Sequence, residues 1–110
     1  MIDHLSYMER ALLLAEMGRG RVAPNPMVGC VLVKDGSIIG EGYHERFGGP
    51  YAEVMAFRNA IVDPVDCSVY VNLEPCNIEA KTPACTKFLI ENGAKEVMHD
   101  DFKFLMHASG

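Results

Sequence analysis

Two cysteines, Cys76 and Cys85, stand eight residues apart in the segment LEPCNIEAKTPAC, and Glu53 stands upstream in GPYAEV. Ionised thiols hold zinc-like metal ions, and a carboxylate beside an activated water can take its proton and pass it to a leaving amine. Spacing alone leaves two readings of the cysteines open, a ligand pair or two buried thiols packed as small hydrophobes. Their place favours ligands: both fall between the end of a predicted strand and the first turn of the next helix, where the helix dipole favours thiolates. Glu53 also has a plain reading, since a carboxylate in the first turn of a helix opposes the dipole. Cys30, inside an apolar run, and Cys67, in a short polar connection, read as core or bystander residues.

The elements that must position these groups follow from periodicity. Leu5, Met8, Leu12 and Ala15 recur at helical spacing, with Asp3 or Ser6 as the cap, Ser6-x-x-Glu9 as a capping box, and Gly18 and Gly20 as the stop. Ala23-Pro24-Asn25-Pro26 cannot be helical and reads as an extended loop. Val28 to Lys34 and SIIGEGYH flank Asp35-Gly36, which predicts an antiparallel hairpin. Val54, Phe57 and Ile61, with Met55 and Ala56 beside them, predict a second helix from about Tyr51 to Asp63-Pro64. Ser68 to Leu73 reads as a buried strand, a third helix runs from near Pro83 to Asn92-Gly93, and Glu96-Val97-Met98 as a short strand. The tail HDDFKFLMHASG has no clear period and is assigned no element. This order predicts an α/β layered domain with a mixed sheet.

The chain of 110 residues suits one domain, and its 49% hydrophobic and 23% charged residues are ordinary globular usage. No run approaches the roughly 18 apolar residues of a membrane span, and the N-terminus does not read as a signal peptide, so a cytoplasmic protein with reduced thiols is expected. A formal charge of −5 disfavours nucleic acid and leaves a small molecule as the expected partner.

The segments APNPMVGCVLVKDGSIIGEGYHERFGGPYAEVMAF and VYVNLEPCNIEAKTPACTKFLIENGAKEV closely resemble the riboflavin-biosynthesis pyrimidine deaminases (RibD-type) of the zinc-dependent cytidine/deoxycytidylate deaminase superfamily. The resemblance runs from the first helix to about Val97, over a family-like part at 1–98 and a divergent tail at 99–110. It implies a three-layer cytidine-deaminase-like fold, shortened at its C-terminal side. The implied activity is hydrolytic removal of ammonia from a pyrimidine nucleotide, with zinc (Zn2+) held by one histidine and two cysteines. Carried over residue by residue, Cys76 and Cys85 are metal ligands, Glu53 is the proton shuttle, and Asn25, His44 and Lys81 contact substrate. The family's histidine ligand aligns with Tyr51, and a position commonly histidine in the family is Ile78. A phenol must lose a proton with a pKa near 10 before it can ligate.

The leading expectation is therefore a zinc-dependent deaminase acting on 2,5-diamino-6-ribosylamino-4(3H)-pyrimidinone 5′-phosphate. Two others stand beside it: a non-catalytic homologue serving as a binding or subunit-packing module, and a deaminase of another free nucleotide. No nicotinamide site is expected in this length of chain. A shortened sheet would leave an edge for a second copy to cover in a homo-oligomer.

Overall fold

In the computed structural model, residues 4–72, 88–99 and 102–105 are described. The element order is α1 (His4–Glu16), β1 (Gly29–Lys34), β2 (Ser37–Tyr43), α2 (Ala52–Arg58), β3 (Ser68–Val71), β4 (Glu96–His99) and β5 (Phe102–Leu105), with a further helical turn at 88–91. The strands form one mixed sheet in the order β2-β1-β3-β4-β5; only β3 and β4 pair in parallel.

The hairpin forms where Asp35-Gly36 predicts it. Both turn residues have positive φ, 52° and 78°, the two-residue turn whose twist matches that of the flanking strands. A bulge between Leu32 and Val33 then shifts the register, so that Leu32 faces Gly40 and Val33 faces Ile38. Alternation along β1 divides the core. Cys30 and Leu32 join Ile39, Ala52, Ala56, Val69, Val71, Leu89 and Val97 on the α2 face. Val31 and Val33 join Ala11, Leu14 and Tyr70 on the α1 face. The result is the expected three-layer arrangement, α1 on one side of the sheet and α2 on the other.

Several details differ from expectation. The buried face of α1 is Ala11, Leu14 and Ala15, while Leu5 and Leu12 are exposed. The reason is Gly29: a Cβ there would lie 2.0 Å from the Ala11 carbonyl oxygen and 2.7 Å from the Ala15 amide nitrogen. The helix backbone thus sits directly on the strand, with Ala11, Leu14 and Ala15 turned to the contact. The same holds for α2, whose buried residues are Ala52, Glu53 and Ala56; of the predicted residues Ala56 is buried and Phe57 packs half-buried against the same core, while Ile61 is exposed. Cβ atoms at Gly40 and Gly42 would meet the Ala56 backbone at 2.5 and 2.4 Å. Ser6 is inside α1 and is not its cap.

The second helix is also shorter than predicted. It ends at Arg58 because the Ile61 amide donates to the Ile39 carbonyl (2.8 Å) and the Asn59 side-chain amide to the Glu41 carbonyl (2.9 Å). These two bonds occupy carbonyls on the outer edge of β2, which would otherwise be open to pairing. The proline segment is non-helical as expected, but it is not extended: Asn25 N donates to the Val22 carbonyl (2.9 Å) around a cis Ala23–Pro24 bond, closing a tight turn. In the tail, residues 102–105 form β5 against β4, a strand for which the sequence had offered no periodicity. Gly93, at φ 93°, ends the 88–91 helical turn where Asn92-Gly93 was expected to do so. Cys30 and Cys67 are fully buried thiols, as expected, and burial pushes the Cys67 thiol up to about 11.

Candidate active site

The predicted residues that are described gather at one end of the sheet, at the start of β1, the end of β2 and the N-terminus of α2. Glu53 lies in the first turn of α2 and is only 5% exposed. Carboxylates are rarely buried, so a solvated face does not account for it. Its depth is a consequence of the glycine contacts: Ala56, one turn on, rests on Gly40 and Gly42, and this seats the first turn of the helix against the sheet.

His44 follows β2 immediately and is 2% exposed, which excludes a histidine simply exposed at a strand end. Its Nδ1 is 3.0 Å from the Pro50 carbonyl oxygen and its Nε2 is 3.2 Å from Asn25 Nδ2. A carbonyl only accepts, so Nδ1 carries the proton and Nε2 accepts from the Asn25 amide. This chain of bonds ties three pieces of backbone together: the turn holding Asn25, the end of β2, and the residue that leads into α2. A second fastening lies behind it, because a Cβ at Gly18 would be 2.4 Å from the His44 carbonyl oxygen. The turn that follows α1 and the residue that follows β2 are therefore in direct contact.

Tyr51 is the N-cap residue of α2, 57% exposed, with no side-chain capping bond. Its ring leans on His44, with the centroids 5.6 Å apart at 41°. Its place in the fold is thus the expected one, at the helix start two residues before Glu53, with more than half of its surface exposed. Both His44 nitrogens are engaged, one by the Pro50 carbonyl and the other by the Asn25 amide. No group of three or more metal-ligating side chains occurs among the described residues. Cys76, Cys85, Lys81 and Ile78 lie outside the described residues.

One residue of this region was missed. Asn72, read from sequence as part of a buried strand, accepts from the Gly29 amide through Oδ1 (2.6 Å) and donates from Nδ2 to the Met27 carbonyl (3.3 Å). The signal was available: asparagine is depleted in strands, and an amide closing the apolar run SVYV marks a strand end with a separate task. A cavity of about 500 Å3 lies at the opposite ends of β1 and β3, lined by His4, Tyr7, Lys34, Ser68, Tyr70 and Glu96 among others, and holds none of the predicted site residues.

A mixed sheet between α1 and α2, with a buried carboxylate in the first turn of α2 and a buried histidine bonded to the residue that leads into that helix, defines a cytidine-deaminase-like α/β domain. The chain belongs to the family described as the cytidine and deoxycytidylate deaminase zinc-binding region, which it matches over residues 1–100. It is 52% identical over 92 residues to the riboflavin biosynthesis protein RibD of Escherichia coli, covering 84% of this chain and 25% of that protein. It is 43% identical to the diaminohydroxyphosphoribosylamino-pyrimidine deaminase of Buchnera aphidicola, covering 88% of this chain and 66% of that one. Among solved structures it is similar to the diaminohydroxyphosphoribosylaminopyrimidine deaminase/5-amino-6-(5-phosphoribosylamino)uracil reductase of Thermotoga maritima. That match has 48% identity and a TM-score of 0.75, and it covers 88% of this chain and 30% of that one. The chain spans about a quarter of the length of several of these relatives. No helix among the described residues is long and apolar enough to cross a membrane.

Proposed function

We propose that residues 1–110 form one deaminase domain that hydrolytically removes an amino group from a pyrimidine nucleotide of riboflavin biosynthesis, as the names of its relatives suggest. The observation that carries the reading is Glu53, a carboxylate buried in the first turn of α2, three residues after the Pro50 carbonyl that ends the Asn25–His44–Pro50 chain of bonds. In the proposed reaction water adds to the ring carbon bearing the amine, the C–N bond breaks, and ammonia leaves a carbonyl behind. Glu53 accepts a proton from the water and delivers it to the departing nitrogen. Asn25, His44 and Lys81 are proposed to hold the nucleotide, Lys81 through its phosphate. Cys76 and Cys85 are proposed to hold zinc, with Tyr51 in the third position. The proposed setting is cytoplasmic, with a small-molecule partner, neither nucleic acid nor membrane, and a homo-oligomeric assembly.

Tyr51, exposed at the helix start where the family's histidine ligand aligns, favours a second reading, a non-catalytic binding or subunit-packing module built on the same scaffold. The two are separated by stripping the protein of metal, reloading it with zinc, and measuring zinc per chain and ammonia release for the natural sequence beside Tyr51→His. About one tight zinc and ammonia release from the diaminopyrimidinone ribotide in the natural protein establishes the enzyme. Zinc and activity in Tyr51→His alone establish the module, a site with its ligand lost. Zinc in neither refutes the assignment of Cys76 and Cys85.

A further inference from the structure

The β1–β3 pairing runs antiparallel with Cys30 opposite Val71 and Val31 opposite Tyr70, so the next pair in register is Gly29 with Asn72. The Asn72 amide donates to the Gly29 carbonyl at 3.4 Å, as that register requires. The reciprocal bond does not go to the main chain. The Gly29 amide donates to Asn72 Oδ1 at 2.6 Å. The Met27 carbonyl, which a continued ladder would pair with the amide of residue 74, accepts from Asn72 Nδ2 at 3.3 Å. One side chain thus takes the place of the reciprocal main-chain bond and also holds the Met27 carbonyl, directly after the end of β3.

This substitution has a consequence for the site. Residues 24–28 contain two prolines, which have no amide to donate, so this loop has few backbone bonds with which to hold itself against the sheet. Asn72 grips it at Met27 and Gly29, two and four residues after Asn25. Asn25 in turn supplies the amide that engages His44 Nε2. Helix α1 presses on the same spot, since its backbone lies on Gly29. The loop is therefore clamped between α1 and the Asn72 side chain, and the direction in which Asn25 points depends on that clamp.

We infer that Asn72 is a positioning residue of the site: its carboxamide fixes the Asn25 loop to the end of β3 and so sets the placement of the Asn25–His44 pair that receives the nucleotide. The inference rests on the proposed deaminase reading for what the pair receives, but the clamp has its own readout. In Asn72→Ala the Gly29 amide loses its acceptor and its hydrogen exchange in the full chain accelerates at least about tenfold. Asn72→Asp keeps an oxygen for Gly29 and presents a second oxygen to the Met27 carbonyl, so Gly29 stays protected while the Met27 grip is lost.

The kinetic test uses the diaminopyrimidinone ribotide with whichever of the natural or Tyr51→His chains turns over. Both Asn72→Ala and Asn72→Asp raise KM about tenfold while kcat stays within about threefold. An unchanged KM in Asn72→Asp overturns the inference, and this variant decides the matter should Asn72→Ala fail to fold. If neither parent chain turns over, the deaminase reading fails separately, and calorimetric binding of the same ribotide takes the place of KM. Roughly tenfold weaker binding in the Asn72 variants supports the clamp; equal binding, or no binding by either parent, overturns it.

Discussion

The seating of α2, and with it the depth of Glu53, depends on glycine at position 42, and replacing Gly42 by alanine tests this directly. The added methyl would lie 2.4 Å from the Ala56 amide nitrogen and 2.6 Å from Met55 Cβ, roughly 1 Å inside ordinary contact distances. Both atoms belong to the helix framework, so no side-chain rotation clears them and α2 must lift from the sheet. It is tethered at its far end by the Asn59 bond to the Glu41 carbonyl, so it lifts at some cost in packing around Ala52 and Ala56. Overpacking of this kind costs about 2–3 kcal/mol. For a domain of this size that corresponds to a melting temperature lower by roughly 8–12 °C. Thermal unfolding followed by circular dichroism measures it, with Gly36→Ala as the comparison. A Cβ at Gly36 meets nothing within 4 Å, but its φ is +78°, so only the left-handed backbone penalty of about 1 kcal/mol applies. A Gly42→Ala melting temperature within about 2 °C of the natural protein, or a loss no larger than that of Gly36→Ala, would refute the packing argument.

Two further outcomes follow from ionisable groups. Glu41 takes two bonds from Arg10, at 2.6 and 3.0 Å, and these hold its carboxyl below the usual range against the opposing effect of burial. Because its folded pKa lies below the unfolded value, the stabilisation is present above about pH 4.5 and is lost as pH falls through the folded pKa. The pair is half-exposed, so its worth is about 0.5 kcal/mol. Glu41→Gln should therefore lose about 2 °C less in melting temperature between pH 6 and pH 3 than the natural protein, and equal slopes would contradict this. Cys67 is fully buried, with its thiol pushed up to about 11. Iodoacetamide at pH 8 should leave it unlabelled in the folded protein and label it fully in urea, as read by peptide mass spectrometry; prompt labelling of the folded protein would show the core to be open at that point.

What the sequence determined by itself was local. Asp35-Gly36 dictates its turn because few other residue pairs tolerate two positive φ values, and the runs read as strands at 28–34 and 68–73 hold strands at Gly29–Lys34 and Ser68–Val71. Proline excluded helix at 23–26, and Asn92-Gly93 marked a helix end. The motifs LEPC and KTPAC carried the family resemblance. The faces of the helices were not legible in this way. The residues read from periodicity include Ala15, Ala56 and Phe57, which pack inward, alongside Leu5, Leu12 and Ile61, which are exposed, because the closest contacts are made by alanines on strand glycines. That choice depends on which glycine lies opposite, a fact about two distant segments at once. Strand β5 was missed for a similar reason, since its four residues take their register from β4.

For the site, the division is sharper. The sequence named Glu53, His44, Asn25 and Tyr51, but a carboxylate at a helix start and a histidine at a strand end are equally ordinary on a solvated surface. Only the tertiary structure decided that Glu53 and His44 are buried, that both His44 nitrogens are committed, and that the Tyr51 ring leans on His44 while staying exposed. Hydrogen bonds spanning 19 residues from Asn25 to His44 and 43 from Gly29 to Asn72 have no signature in local composition. They exist because the close packing of α1 and α2 on glycines brings those segments together.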